Sequence, residues 1–191
     1  QKAGLAVTAN IILHKYNLPE FDEMIERCQA IGIPYQISDE VTERYDGSAD
    51  ARSLEMDSND LRSFLAGEHY EKFMVHNVDK GVQCSCARTV IGIGFDGSVY
   101  PCIGAPLLAG NLREQSLKVI WQQSEAFLKI RGLKLSDFEE CQDCNFVEYC
   151  ARSSGAMEAN TGNYTGCDSK TLDFAKVRSE MDRDTQVLSN R

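Results

Sequence analysis

Residues 141–150 read CQDCNFVEYC, a C-x2-C-x5-C spacing that places three thiols in one short segment, and Cys167 adds a fourth further along the chain. Four thiolates in such a pattern can close a tetrahedral shell around zinc or bind the four irons of a cubane cluster. The spacing therefore predicts a metal site around which this part of the chain folds. It leaves the identity of the metal open.

A second group of cysteines, Cys84, Cys86 and Cys102, lies upstream. Residues 90–100 between them are predicted to form a β-hairpin, because their central Asp-Gly pair is typical of a tight type I′ turn. Cys84 and Cys86 precede the first strand and Cys102 follows the second. The hairpin would therefore bring the three thiols to the same end.

The eight cysteines also allow disulfide or redox explanations. A disulfide framework is typical of short secreted domains, but no export signal opens the chain and its first 80 residues hold one cysteine. Cys141 and Cys144 have the spacing of a redox dithiol, which leaves Cys150 and Cys167 without a role. Metal binding accounts for more of the cysteines. Cys28 is the exception and is predicted to pack as a small apolar residue on a helix face.

Composition excludes several classes of protein. The chain has 20 Lys+Arg against 29 Asp+Glu, a net charge of −9, which argues against nucleic-acid binding through phosphates. With 42% hydrophobic and 26% charged residues it is typical of globular proteins, and it contains no run of the ~20 apolar residues that a membrane-spanning helix needs. We expect a cytoplasmic protein that binds neither nucleic acid nor membranes.

The N-terminal third is predicted to contain two βα units. Residues 6–13 have the apolar pattern of a strand that is buried on both faces. Residues 17–32 are predicted to form a helix capped by Asn17, and residues 33–41 a second strand. A second helix is predicted to be capped by Ser58. Strand, helix and strand in this order predict a parallel α/β sheet. Two such units cannot close a sheet alone, so we expect the chain to be a fragment of a longer α/β domain.

Two helices are predicted in the C-terminal part of the chain. Residues 117–128 have an amphipathic pattern that a single polar residue, Ser124, weakens only slightly. A charged helix is predicted from about Ser169.

The two cysteine groups together resemble the SPASM domain, the C-terminal extension of many radical S-adenosylmethionine enzymes that modify ribosomal peptides and proteins. The flanking segments DGSVYPC (96–102) and GNLREQSL (110–117) also resemble that family, and the resemblance covers about residues 80–175. Residues 6–41 are similar to the late βα units of the partial (β/α)6 barrel of those enzymes. The resemblance implies an α/β partial-barrel fragment over residues 1–78, followed by an α+β SPASM domain over residues 79–191.

The resemblance implies one or two auxiliary [4Fe-4S] clusters. The distal cluster would take all four of its ligands from Cys141, Cys144, Cys150 and Cys167. The proximal cluster would take Cys84 and Cys102, but the cysteine expected at residues 153–154 is absent and Cys86 is additional. Either Cys86 substitutes as a ligand, leaving one iron open to substrate, serine or water, or the proximal site holds a smaller cluster or none.

The resemblance also implies a function: electron transfer and substrate positioning while a ribosomal precursor peptide is crosslinked or oxidised. Cleavage of S-adenosylmethionine in this family requires a C-x3-C-x2-C motif with its own [4Fe-4S] cluster, and no such spacing occurs here. We therefore expect an N-terminal radical half in the same chain or in another. Two alternatives remain: a zinc-binding structural or interaction module, and a partner that presents the peptide without catalysing its modification.

Overall fold

The computed structural model describes residues 4–44, 48–67, 73–75 and 84–189, with side chains up to residue 185. The predicted domain boundary at residues 78 and 79 lies outside the described residues. The strands are β1 (Ala9–Ile12), β2 (Tyr35–Ser38), β3 (Gly92–Ile93), β4 (Ser98–Tyr100) and β5 (Gly110–Asn111). The helices are α1 (Phe21–Ala30), α2 (Ser58–Leu65), α3 (Leu117–Gln123), α4 (Glu125–Gly132), α5 (Glu139–Gln142), α6 (Ser154–Thr161) and α7 (Ser169–Ser189). Short 3-10 helices occupy Leu18–Glu20, Asp50–Leu54, Leu135–Asp137 and Val147–Tyr149.

Strands β1 and β2 form the predicted parallel pair, with Ala9 opposite Tyr35 and α1 between the strands in sequence. The βαβ prediction is therefore confirmed, and α2 completes the second unit. The prediction that β1 is buried on both faces is wrong. Ile11 is 7% exposed whereas its neighbour Ile12 is 40% exposed, because the described residues cover only one face of this two-stranded sheet.

Two helix starts differ from the prediction. A 3-10 turn separates Asn17 from α1, and the Asn17 side chain accepts a hydrogen bond from the His14 backbone N–H (2.8 Å) instead of capping the helix. At α2 the cap is Asp57, one residue before Ser58, and it forms a reciprocal capping box with Asp60.

The first core joins the βα units to the C-terminal helix. Phe64 lies between Phe21 and Phe73, with ring centroids 4.9 Å apart in both edge-to-face pairs. Phe174 and Val177 of α7 are buried in the same core. The cluster also contains Cys28, which confirms its predicted packing role.

The hairpin of β3 and β4 is present, and β5 extends it to a three-stranded antiparallel sheet. The predicted type I′ turn is wrong, since only Gly97 of the Asp-Gly pair has a positive φ (87°). Hydrogen bonds from Gly97 N to Gly94 O (3.0 Å) and from Gly94 N to Ser98 O (2.8 Å) define a longer turn that ends in a left-handed glycine. The Asp96 carboxylate accepts bonds from the Ser98 backbone N–H and hydroxyl, which stabilises this alternative.

The predicted helix over residues 117–128 is two helices, because Ser124 has an extended backbone (ψ 126°) that separates α3 from α4. Phe127 and Ile130 are buried in the second core beneath the hairpin, whereas Leu128 is 51% exposed. Helix α7 begins at Ser169 as predicted. None of the helices in the described part of the chain combines the length and the apolarity needed to cross a membrane.

Leu61 tests the first core, because its side chain is fully buried on the inner face of α2. We expect Leu61→Ala to lower the free energy of unfolding by about 3 kcal/mol, through lost apolar burial and a residual cavity. Urea unfolding followed by circular dichroism measures this change. Leu135→Ala is the matched control, since Leu135 is 54% exposed and should cost far less. Equal effects of the two substitutions would contradict the assigned core.

Candidate metal centres

The four later cysteines line one cavity of about 490 Å³. Cys141 lies in α5, Cys144 in the turn that follows, Cys150 directly after the 3-10 helix Val147–Tyr149, and Cys167 just before α7. Each thiol is partly buried and none is in a disulfide. The structure thus brings together all four residues predicted for a distal metal site.

Backbone N–H groups point at two of these distal sulfurs. The Phe146 N–H donates to Cys144 Sγ across 3.4 Å, and the Arg152 N–H donates to the sulfur of Cys150. Such N–H···S bonds stabilise negative charge on a thiolate, and they are a main way in which proteins adjust metal–sulfur sites. Two of the distal sulfurs therefore have backbone donors that would stabilise the ligating, deprotonated form.

Without metal, burial favours the protonated form of three distal thiols, those of Cys141, Cys150 and Cys167. Burial raises the pKa of Cys141 and of Cys150, and burial together with the nearby Cys150 raises that of Cys167 to about 12. Binding of a metal at these sulfurs must therefore release protons.

The three earlier cysteines form a second group beside the hairpin. Cys86 and Cys102 are buried with Ala105, and Cys84 packs against them. The thiol of Cys86 is in hydrogen-bond contact with those of both Cys84 and Cys102. The structure therefore brings Cys84, Cys86 and Cys102 together as predicted, with the additional Cys86 at the centre.

Hydrogen bonding shifts the pKa values of the three proximal thiols in different directions. The bond with Cys86 and burial raise the pKa of Cys84 to about 12, and the bond with Cys102 raises that of Cys86 to about 11. The pKa of Cys102 is lowered, first by the thiol of Cys86 and also by the backbone N–H groups of Gly104 and Ala105. Cys102 is thus the thiol whose surroundings most favour the thiolate.

Gly155 allows α6 to approach the proximal thiols. A Cβ at this position would lie 2.7 Å from Cys102 Sγ and 3.2 Å from the Ala105 backbone nitrogen, both closer than van der Waals contact permits. The proximal group therefore lies against bare backbone on one side.

Ser153 and Ser154 occupy the positions where the resemblance expects a cysteine, and Arg152 directly precedes them. Ser154 is fully buried, and its hydroxyl accepts a hydrogen bond from Arg152 Nη1 (2.7 Å). Arg152 also lines the distal cavity and lies over the ring of Phe138 at 4.9 Å. Arg152 therefore contributes to the distal site and, through Ser154, to the start of α6 beside the proximal one.

Tyr164 is a site residue that the sequence analysis missed. Its hydroxyl lies 3.5 Å from Cys84 Sγ, although the two residues are 80 positions apart. No local motif marks Tyr164, so only the folded structure could identify it. It brings a fourth polar group to the three proximal thiols.

The arrangement of the thiols bears on the kind of metal group that they could hold. Within residues 4–44, 48–67, 73–75 and 84–189, no three His, Cys, Asp or Glu side chains are arranged to hold a single ion. In a cubane cluster each thiolate binds a different iron, so the ligating sulfurs need not converge on one point. The four thiols around the distal cavity are therefore compatible with the four irons of a cubane cluster.

Comparison with known proteins gives an independent result. Residues 84–145 match the model of the SPASM iron-sulfur cluster-binding domain, and this range includes five of the seven clustered cysteines. A 72-residue stretch is 40% identical to the AdoMet-dependent heme synthase of Methanosarcina barkeri, covering 36% of this chain and 19% of the relative.

Two other relatives match over more of the chain, and both are PqqA peptide cyclases. That of Granulibacter bethesdensis is 27% identical over 76% of this chain and 43% of its own length. That of Xanthomonas oryzae pv. oryzae is 24% identical over 95% of this chain and 54% of its own length. The chain thus spans about half of the peptide cyclases it matches, and a fifth of the heme synthase. Together with the clustered thiols, these matches support a SPASM-type iron–sulfur domain in this chain and a similarity to the PqqA peptide cyclases.

Proposed function

We propose that this chain is the part of a radical S-adenosylmethionine peptide maturase that binds two auxiliary iron–sulfur clusters next to the peptide substrate. The observation that carries the proposal is the pair of thiol groups: four cysteines line one cavity, and beside the hairpin Cys86 contacts both Cys84 and Cys102. A bound cluster would supply a one-electron acceptor for a substrate radical, which leaves the peptide crosslinked or oxidised.

The chain's own residues have separate roles in this proposal. The ligands of the distal [4Fe-4S] cluster are Cys141, Cys144, Cys150 and Cys167, and those of the proximal cluster are Cys84, Cys86 and Cys102. Backbone N–H groups adjust the charge on the sulfurs, and Gly155 keeps one side of the proximal group free of side-chain atoms.

The remaining assignments complete the proposal. Residues 1–78 form the late part of a partial (β/α)6 barrel, supported by the parallel pairing of β1 and β2, and residues 79–191 form the cluster domain. S-adenosylmethionine and its own [4Fe-4S] cluster bind to an N-terminal radical half. A ribosomal precursor peptide is the substrate, as the names of the peptide cyclases support. A cytoplasmic location belongs to the proposal as well, because a reducing compartment keeps cysteine thiols available as ligands.

A metal and sulfide count on the full-length protein tests the proposal. Purified without oxygen, the protein should be brown, and the two auxiliary sites should contribute about eight iron and eight sulfide per chain if both hold cubane clusters. A colourless protein with stoichiometric zinc and no sulfide would instead establish the zinc module. Incubation with a precursor peptide and S-adenosylmethionine then separates a maturase from a partner that only presents the peptide.

Cys86 decides how the proximal site is completed. We expect Cys86→Ala to lose the iron of the proximal cluster, about half of the auxiliary iron, because Cys86 contacts both other proximal thiols. Iron analysis and electron paramagnetic resonance of the reduced protein measure the loss. Cys28→Ala is the control, since Cys28 lies in the first core. An unchanged iron content in Cys86→Ala would exclude Cys86 as a required ligand.

A further inference from the structure

The hydroxyl of Tyr164 lies at the proximal thiols. It is 3.5 Å from Cys84 Sγ and also within hydrogen-bond reach of Cys86. The aromatic ring packs against both the proximal group and the second core. A partly buried tyrosine whose hydroxyl contacts two thiols is placed where it can influence a metal bound to those thiols.

Arg152 holds the backbone on which Tyr164 lies. Its guanidinium donates hydrogen bonds to the carbonyl oxygens of Tyr164 and Gly166, the latter across 2.8 Å. The same guanidinium contacts the ring of Phe138, which is 1% exposed. The guanidinium of Arg152, which packs on the buried ring of Phe138, therefore fixes the backbone position of Tyr164.

The direction of the hydrogen bond follows from the chemistry of the two groups. Between a thiol and a phenol either atom could donate. Once Cys84 binds iron it is a thiolate without a proton, whereas the phenol of Tyr164 carries an O–H donor. The tyrosine is then the only donor of the pair.

We propose that Tyr164 donates an O–H···S hydrogen bond to the Cys84 sulfur of the proximal cluster and thereby raises the reduction potential of that cluster. This inference rests on the proposed function, since it requires a cluster at the proximal site. Reduction adds an electron to the cluster and increases the negative charge on its sulfurs, so a donor at a sulfur stabilises the reduced form more than the oxidised form. Tyr164 is in this sense a positioning residue that makes the proximal cluster a better electron acceptor.

The test compares the wild-type full-length protein with Tyr164→Phe, which removes the hydroxyl and keeps the ring in the core. Both are purified anaerobically and titrated with a reductant, and the reduced clusters are followed by electron paramagnetic resonance. Cys102→Ala, which should lack the proximal cluster, identifies the signal that belongs to it. Tyr35→Phe is the matched control, since Tyr35 lies on β2 and packs against the first core.

The expected result for Tyr164→Phe is an unchanged iron and sulfide content with a more negative midpoint potential for the proximal signal alone. Tyr35→Phe should leave both potentials unchanged. An unaltered proximal potential in Tyr164→Phe would overturn the inference, as would loss of iron with a three-iron signal, which would make Tyr164 a ligand instead. If the wild-type protein held iron for only one auxiliary cluster, the proximal part of the proposed function would be wrong. This iron count is made on the wild-type protein first, so it is distinguished from any effect of the variants.

Discussion

Cys144→Ala is expected to remove at least one iron per chain, and up to the four iron and four sulfide of one cubane cluster. Cys144 lies in the turn after α5, lines the distal cavity with three other thiols and accepts a backbone hydrogen bond at its sulfur. A methyl group cannot bind iron, and the remaining three thiolates would leave one iron without a protein ligand. Anaerobic iron and sulfide analysis, with visible absorption, measures the loss.

Cys28→Ala is the matched control for this experiment. Cys28 is also a free, buried cysteine, but it lies in the first core on α1 and contacts none of the other thiols there. This variant should keep its full iron content and lose only some stability. If Cys144→Ala kept its iron as well, the assignment of the distal ligands would be wrong.

Gly155→Ala is expected to disrupt the proximal site through a single added methyl group. That methyl would lie 2.7 Å from Cys102 Sγ, so either the thiol or α6 must move. Overpacking of this kind costs roughly 1–3 kcal/mol in folding free energy. We expect the thiol of Cys102 to be the group that moves, with loss of the proximal iron while the distal iron stays. Thermal unfolding and an iron count measure the two effects.

Gly132→Ala provides the comparison, because a Cβ at Gly132 would have no neighbour within 4 Å and the residue lies in α4. Alanine is the better helix former, so this variant should be as stable as wild type or slightly more stable. A proximal iron content in Gly155→Ala equal to that in Gly132→Ala would show that the close approach of α6 is unimportant.

Much of the fold follows from local sequence patterns. The C-x2-C-x5-C spacing and the hairpin predicted the two groups of thiols that the structure brings together, and alternation of strand and helix predicted the parallel pair of β1 and β2. These features depend on residues close in sequence or on simple periodicity, which a single sequence displays directly.

The predictions that were wrong concern places where local interactions compete. The prediction of a type I′ turn was wrong because the Asp96 carboxylate accepts hydrogen bonds from the Ser98 N–H and hydroxyl. These bonds stabilise a different turn, in which Gly97 alone of the Asp-Gly pair is left-handed. The single helix over residues 117–128 was wrong because the apolar pattern continues across the break at Ser124. Periodicity records which residues are apolar and does not record a one-residue change of backbone direction.

Tyr164 and Gly155 could not be predicted as site residues because their roles come from contacts between distant segments. The tyrosine reaches Cys84 across 80 residues of chain, and the glycine matters because α6 lies against Cys102. Neither residue belongs to a motif with metal-ligand spacing. Long-range packing of this kind becomes visible only in three dimensions.

Helix α7 has a consequence for the order in which the protein matures. Arg178, 2% exposed, reaches from α7 to Asp39 after β2 (2.6 Å), and Asp182 accepts a hydrogen bond from Tyr149 beside Cys150 (2.9 Å). The first core thus remains incomplete during translation until the residues of α7 have left the ribosome. Iron delivered to the nascent polypeptide would reach cysteines whose surrounding fold is still incomplete. This favours insertion of the clusters after synthesis.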